Sequence, residues 1–293
     1  SFEFLEKIDQ FILKKSEIKI ATDIMLGSTS DIYPRLMNEL GIENIILNAY
    51  KDEKNLSKVA NNINKSQKNM ENIVKVMQLD CGFLIYPNGQ KLQLIDDEGN
   101  LVYDYKLLLV ILTMLNNIAQ KRVKVLLPAW GPDFMEFKNI DITYAKLSSF
   151  KATQLQEFDL IASTDGHFAF FEFGLNSDAV FSSFKILELI TKTNMKISKI
   201  IKDLPYFVFK GENVPCPSEY KGKMMRKFLE EANGKESNSI DGVKIWTDED
   251  EWILMVPDEH AEYLNIYIQA QNHKNASKIF WNYQNKIETW LNE

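Results

Sequence analysis

The stretch Trp252-Ile-Leu-Met-Val-Pro-Asp-Glu-His-Ala-Glu-Tyr-Leu-Asn-Ile-Tyr-Ile-Gln-Ala270 decides how this chain folds. Residues 252–256 are a continuous apolar run, 257–262 a polar turn opened by proline, and 263–268 alternate between two faces. A short apolar run, a turn and a period-two segment read as strand, loop, strand. The loop is acidic: Asp258, Glu259 and Glu262 stand in it beside His260, with no arginine.

Working outward, 243–246 supplies a further strand, while 218–232 and 274–291 read as amphipathic helices. Residues 204–293 therefore read as a small α+β domain whose start is punctuated by Pro205, Gly211, Pro215 and Pro217. At the other end, 2–15 reads as one amphipathic helix with Phe4, Leu5, Ile8, Phe11 and Ile12 on a face. Strand 18–23, the turn Gly27-Ser28-Thr29-Ser30, helix 31–40 ended by Gly41, and strand 45–47 follow. Ser28 and Ser30 read as turn and helix-cap residues. Residues 51–68 begin as a loop, a helix lies near 69–77, and 82–95 is a hairpin about Pro87-Asn88-Gly89. The next segment has an apolar helix at 104–119, strands at 123–127 and 140–145, a turn at 128–133, a hairpin at 160–173, and helices at 178–191 and 195–203. Strands alternating with helices imply sheets with parallel pairs. The fold class is α/β: two α/β domains with mixed sheets, 1–97 and 98–203, then the small α+β domain 204–293.

With 293 residues and 45% apolar composition, the chain has enough material for two or three cored domains. The net charge of −7 and the scattered lysines argue against nucleic acid or an anionic membrane as partner. Cys81 and Cys216 stand far apart, which fits reduced, buried thiols and a cytoplasmic protein. No apolar run reaches the roughly 18 residues of a membrane span, and no signal-peptide pattern is read at the N-terminus. Ser1 in place of Met suggests a processed product or an excised piece of something longer.

The motifs resemble those of the α-D-phosphohexomutases, the phosphomannomutase and phosphoglucomutase superfamily. That family's last domain carries a phosphate loop, Arg-Pro-Ser-Gly-Thr-Glu-Pro, then two residues and Arg. Laid on this chain without a gap, its first Arg falls on Val256, its Ser on Asp258, its Gly on Glu259, its Thr on His260 and its last Arg on Asn265. Pro257, Tyr267 and Ala270 keep the scaffold. The family's metal loop, Asp-x-Gly-x-x-x-Asp-x-Asp-x-Asp-Arg, matches Asp80 and Gly82, but its three Mg²⁺ aspartates fall on Tyr86, Asn88 and Gln90. A hard dication needs charged oxygen ligands, so this degenerate loop reads as a plain hairpin and no cofactor is expected. The family's sugar loop, Gly-Glu-x-Ser-Gly-His, matches Gly166 and His167, with its Glu on Ser163 and its Ser on Asp165. Asp178 matches an aspartate that opens the next helix and reads as a cap. No serine stands in the family's Ala-Ser-His-Asn nucleophile pattern, which belongs to a first domain not matched here.

By this resemblance 1–97, 98–203 and 204–293 correspond to the family's second, third and fourth domains. A narrower resemblance is to the mutase-like tail of bacterial mannose-1-phosphate guanylyltransferase fusions, carried by Val256-Pro257-Asp258-Glu259 and Asn48-Ala49-Tyr50-Lys51-Asp52-Glu53. Three functions are weighed. The first is a non-catalytic, cytoplasmic, phosphohexomutase-like module of nucleotide-sugar biosynthesis, regulatory or oligomerising, joined to a nucleotidyltransferase domain in one parent chain. The second is part of an active phosphomannomutase or phosphoglucomutase without its serine-bearing domain. The third is a sugar or sugar-nucleotide binding module using Ser163, Asp165, His167, Asp258, His260 and Asn265. No residue is assigned a catalytic role, and the chain alone is expected to be inactive. A hydrolase is disfavoured: there is no Gly-x-Ser-x-Gly elbow, and His167, His260 and His273 lack metal-ligand spacing.

Overall fold

The computed structural model describes residues 2–52, 54–55 and 63–293. Ser1, Glu53 and the stretch 56–62 of the expected 51–68 loop lie outside the described residues. The described chain forms three sheets. It packs as two compact units, one of 1–127, 137–143 and 150–204, the other of 128–136, 144–149 and 205–293.

The first unit holds two sheets. Strands β1 (Lys19–Asp23), β2 (Glu43–Leu47), β3 (Cys81–Ile85), β4 (Leu92–Ile95) and β5 (Leu101–Val102) lie in the order β2-β1-β3-β4-β5. β1 pairs parallel with both β2 and β3, and β3–β4–β5 run antiparallel, so the sheet is mixed as expected. β4 pairs with β5 across residue 97, so a boundary at 97 would cut that hairpin. The second sheet is β7-β6-β8-β9, from β6 (Val123–Pro128), β7 (Ile140–Ala145), β8 (Leu160–Ala162) and β9 (Phe168–Phe170). β6 and β8 are parallel, β8 and β9 antiparallel.

The second unit's sheet runs β10-β14-β13-β12-β11, all antiparallel: β10 (Val208–Pro215), β11 (Ser237–Asn238), β12 (Val243–Asp248), β13 (Glu251–Pro257) and β14 (Tyr263–Ala270). Period-two alternation sorts β13 and β14 into two faces. Ile253, Met255, Leu264, Ile266 and Ile268 pack into a core with Met224, Phe228, Ile279 and Tyr283 from helices Ser218–Ala232 and His273–Asn292. The other face carries three cross-strand pairs, Trp252 with Gln269, Leu254 with Tyr267, and Val256 with Asn265. Segment 128–136 lies on that face. Trp130 stacks on Tyr267 with ring centroids 5.1 Å apart. Asp133 accepts from Trp252 Nε1 at 2.6 Å and Gln269 Nε2 at 2.9 Å.

Several expectations need correction. The helix read over 2–15 is two, Phe2–Glu6 and Gln10–Lys15, because Asp9 turns its carboxylate onto the Ile12 N–H and starts a new helix. The helix placed near 69–77 begins at Ile63, inside the stretch read as loop, because residues 64–68 are polar but include no glycine or proline. Ser28 and Ser30 do not cap the following helix, Tyr33–Leu40, whose cap position is Ile32. Their hydroxyls donate to the Pro87 and Gly27 carbonyls instead. The Pro- and Gly-rich start of the last segment contains a whole edge strand, β10. Pro215 ends it, and Gly211 sits opposite Tyr267. An edge strand tolerates both residue types. Residues 128–133, read as a turn, belong with segment 128–136 to the C-terminal sheet's unit.

In the first unit Glu188 is 5% exposed and holds the start of helix Gln10–Lys15. It accepts from the Asp9 N–H at 3.3 Å, from Lys185 at 3.1 Å and from Lys192 at 2.6 Å. Burial pushes its carboxyl up, but the two lysines more than offset this and hold it below its ordinary value. The carboxylate therefore contributes stability above the ordinary glutamate range, and that contribution is lost as pH falls through its depressed folded value. Glu188→Ala is expected to cost about 2–3 kcal/mol at neutral pH, the worth of a buried charge-assisted cluster. Its acid-unfolding limb should be flatter than the parent's. Urea melts at pH 7 and pH 4 check this; an equal loss at both contradicts it.

Candidate functional site

Two clusters of candidate residues form, one in each unit. In the first unit the backbone gathers hairpin 86–91 and loop 163–167. The Leu92 N–H donates to the Gly166 carbonyl at 2.9 Å, and Lys91 bridges to His167. Gly166 has φ +92, and a Cβ there would lie 2.3 Å from the Leu92 carbonyl oxygen, so only glycine fits this crossing. Within the loop, the Ser163 hydroxyl donates to Asp165 Oδ1, and His167 Nδ1 stands 2.9 Å from the same oxygen. Burial pushes the Asp165 carboxyl up, but the hydrogen bonds from Ser163 and His167 win and leave it below its ordinary value. Asp178 caps helix Ala179–Thr193, accepting from the Phe181 N–H at 2.7 Å. Ser163, Asp165 and His167 thus form one exposed acceptor-rich patch.

Hairpin 86–91 is a tight turn. The Gly89 N–H donates to the Tyr86 carbonyl at 2.8 Å, and Gly89 has φ +71. Asn88 Oδ1 accepts from the Gln90 N–H at 3.1 Å, and Asn88 Nδ2 donates to Gln90 Oε1 at 3.3 Å. Lys91 Nζ lies 5.1 Å from the centroid of the Tyr86 ring. Two amides bonded to each other and a phenol beneath an ammonium do not fit Mg²⁺, which wants charged oxygens. Among the described residues no three His, Cys, Asp or Glu side chains gather as a metal set. Calorimetric titration with Mg²⁺ or Mn²⁺ is expected to show no saturable heat. A micromolar site abolished by Asn88→Ala contradicts this.

In the second unit, a cavity of about 610 Å³ opens over the polar end of the β13–β14 face. Asp258, Glu259 and His260 of the loop line it, with Trp130 and Tyr267 as aromatic lining and Lys146, Asp241 and Gly242 beside them. The loop is locked by its own groups. Asp258 Oδ1 accepts from the His260 N–H at 2.9 Å and the Ala261 N–H at 2.8 Å. Asp258 Oδ2 accepts from Asn265 Nδ2 at 3.2 Å. Those N–H donors hold the Asp258 carboxyl down at about 2. Lys221 Nζ donates to the Asp258 and Ala261 carbonyls and so ties the loop's two ends together. Lys146 donates to Glu259 at 2.9 Å and lies 3.9 Å from Asp241. The Glu259 hydrogen bond and the nearby Asp241 raise the Lys146 ammonium above its ordinary value. The Asp241 carboxyl is raised by burial, against Lys146.

The structure therefore brings Asp258, His260 and Asn265 together around one loop, with His260 contributing its backbone. Ser163, Asp165 and His167 meet in the other unit. Lys146, Asp241, Trp130 and Lys221 escaped the sequence reading. Asp241-Gly242 carried a turn signal, but Lys146 reaches Glu259 across 113 positions of chain, which no local pattern records.

No protein-family model matches the chain. Its sequence is 24% identical over 288 residues to a probable phosphoglucosamine mutase from Pyrococcus furiosus, covering 94% of this chain and 63% of that protein. It is 21% identical over 294 residues to the phosphoglucosamine mutase of Methanocaldococcus jannaschii, covering 92% of this chain and 64% of that protein. The chain thus spans less than two thirds of these relatives. Its fold matches a phosphoglucomutase/phosphomannomutase family protein from Burkholderia thailandensis at a TM-score of 0.74 and 16% identity, over 96% of this chain and 64% of the other. It also matches the phosphoglucomutase pp63/parafusin from Paramecium at 0.71 and 11%, over 98% and 61%. These relatives and fold neighbours are phosphoglucosamine mutases and phosphoglucomutase/phosphomannomutase proteins, consistent with the C-terminal domains of the α-D-phosphohexomutase superfamily.

Proposed function

We propose that this phosphohexomutase-like chain is a non-catalytic module of a nucleotide-sugar biosynthesis protein of the mannose-1-phosphate guanylyltransferase type, regulatory or oligomerising. One observation carries the reading: where an external phosphate would need free donors, the His260 and Ala261 N–H groups of loop 258–262 are spent on Asp258. Two further arrangements support it. Lys146, the cavity's lining lysine, is paired with Glu259. Hairpin 86–91 offers two amides and a phenol in place of carboxylates. Phosphoryl transfer depends on metal and cationic groups to neutralise developing charge, and these are not what the two loops present. The proposed partners are a nucleotidyltransferase domain in the same parent chain and a second copy of the module.

A sugar-binding role is the second reading. The stacked Trp130 and Tyr267 rings favour it, because they line the cavity beside the acceptor groups of Asp241, Asp258 and Asn265. An aromatic face with convergent acceptors suits hydroxyls better than phosphate.

The test is a coupled mutase assay on the purified chain with glucose 1-phosphate or mannose 1-phosphate, a bisphosphate activator and Mg²⁺. Turnover at background is expected. Turnover that survives repurification and is lost in Asp165→Asn or His260→Ala overturns the reading and restores a mutase role.

A further inference from the structure

We infer that Asp258 is the specificity-determining residue of the second unit's cavity: its carboxylate occupies the loop's own anion-binding donors and so shuts out a free phosphate. The inference rests on the non-catalytic reading above and supplies a physical cause for it.

Consecutive backbone N–H groups in a tight turn form a concavity that holds an anion. Here the His260 and Ala261 N–H groups converge on a single oxygen, Asp258 Oδ1, at 2.9 and 2.8 Å. Asn265 Nδ2 takes the second oxygen at 3.2 Å. Tyr263 is a further hydrogen-bond partner of the same carboxylate, so the concavity is built and already holds an anion. An external phosphate must displace a tethered carboxylate that carries no association cost of its own. Lys221 donates to both the Asp258 and the Ala261 carbonyls, which ties the two ends of the turn together and resists its opening. The nearby cation, Lys146, is engaged by Glu259 at 2.9 Å.

This differs from plain charge repulsion, and the two separate cleanly. Repulsion from the acidic loop would be relieved by removing any one negative charge. Occupied donors are freed only by removing the oxygen that occupies them. Asparagine at 258 keeps a carbonyl oxygen for the two N–H groups yet has no charge. Alanine removes both.

The experiment titrates inorganic phosphate into the full chain at low salt by isothermal calorimetry. Parent, Asp258→Ala, Asp258→Asn and Glu259→Gln are compared, with folding checked by near-ultraviolet circular dichroism. Asp258→Ala is expected to gain tenfold or more in phosphate affinity, the worth of two freed donors. Asp258→Asn and Glu259→Gln should stay within threefold of the parent. The inference is overturned if Asp258→Asn or Glu259→Gln gains as much as Asp258→Ala, or if folded Asp258→Ala gains nothing. Should Asp258→Ala not fold, amide exchange in the unmodified chain decides. Protected His260 and Ala261 N–H groups are expected without any ligand, and rapid exchange at both overturns the inference. Mutase turnover by the parent would sink the non-catalytic reading, yet it leaves the order of these four affinities to be read on its own.

Discussion

Asp133→Ala is expected to lower the stability of the C-terminal unit by about 3–5 kcal/mol, the cost of removing one partner from a buried ion pair. Lys244 is 3% exposed, and its ammonium is bonded to Asp133 Oδ2. It lies over the Trp252 ring at 3.9 Å and near the Trp246 ring at 4.8 Å. Burial pulls the Lys244 pKa down and Asp133 opposes that pull, so without Asp133 the buried ammonium keeps its aromatic neighbours but loses its counter-charge. The same substitution strips Trp252 Nε1 and Gln269 Nε2 of an acceptor. It also loosens segment 128–136, which keeps the Trp130–Tyr267 stack and the residue-133 N–H bond to Gln269. Asp133→Asn should cost less, because it keeps an acceptor. The pair Asp133→Leu with Lys244→Met should recover most of the loss, since apolar residues of similar size replace buried ion pairs well. Urea unfolding followed by tryptophan fluorescence reads all four chains. A loss under about 1 kcal/mol for Asp133→Ala would show that the ion pair is not what holds the segment.

Gly242→Ala is the second large effect. Gly242 has φ +78, and a Cβ there would lie 2.0 Å from the Met255 carbonyl oxygen. That oxygen belongs to a central strand and cannot retreat without breaking the ladder. The expected loss is about 2–3 kcal/mol, and the turn that carries Asp241 into the cavity should shift with it. Gly234→Ala is the control. Its φ is +76, but nothing lies within 4 Å of the position, so it should cost only the left-handed backbone strain, about 1 kcal/mol. Thermal melts of the two variants separate the terms. Equal losses would mean that the contact with Met255 counts for nothing.

Much of this architecture was legible because its signals are local. The alternation in 263–268 gives β14 its two faces, and the same pattern places Val256 opposite Asn265 at the mouth of the cavity. Pro87-Asn88-Gly89 marks its hairpin, and Asp178 its helix cap. Misreadings arose where local signals point away from the tertiary outcome. Pro215 and Gly211 suggest a break, yet an edge strand accepts both, so β10 was missed. Ser28 and Ser30 have capping chemistry, but nearby carbonyls took their hydroxyls. For the candidate site, the acidic character of loop 258–262 was plain from the residues. What its carboxylates do was not. Asp258 turns inward onto two N–H groups, a matter of backbone conformation, while Glu259 finds Lys146 from a distant part of the chain. Composition alone suggested repulsion; the geometry puts an internal anion in the loop.

The measurement that bears most directly on the central claim is a calorimetric titration of the unmodified chain with mannose 1-phosphate at neutral pH and low salt. With the His260 and Ala261 N–H groups held by Asp258 and Lys146 paired to Glu259, no saturable heat in the micromolar range is expected. A saturable isotherm in the micromolar range, with Asp258 in contact with the bound phosphate, would contradict the account.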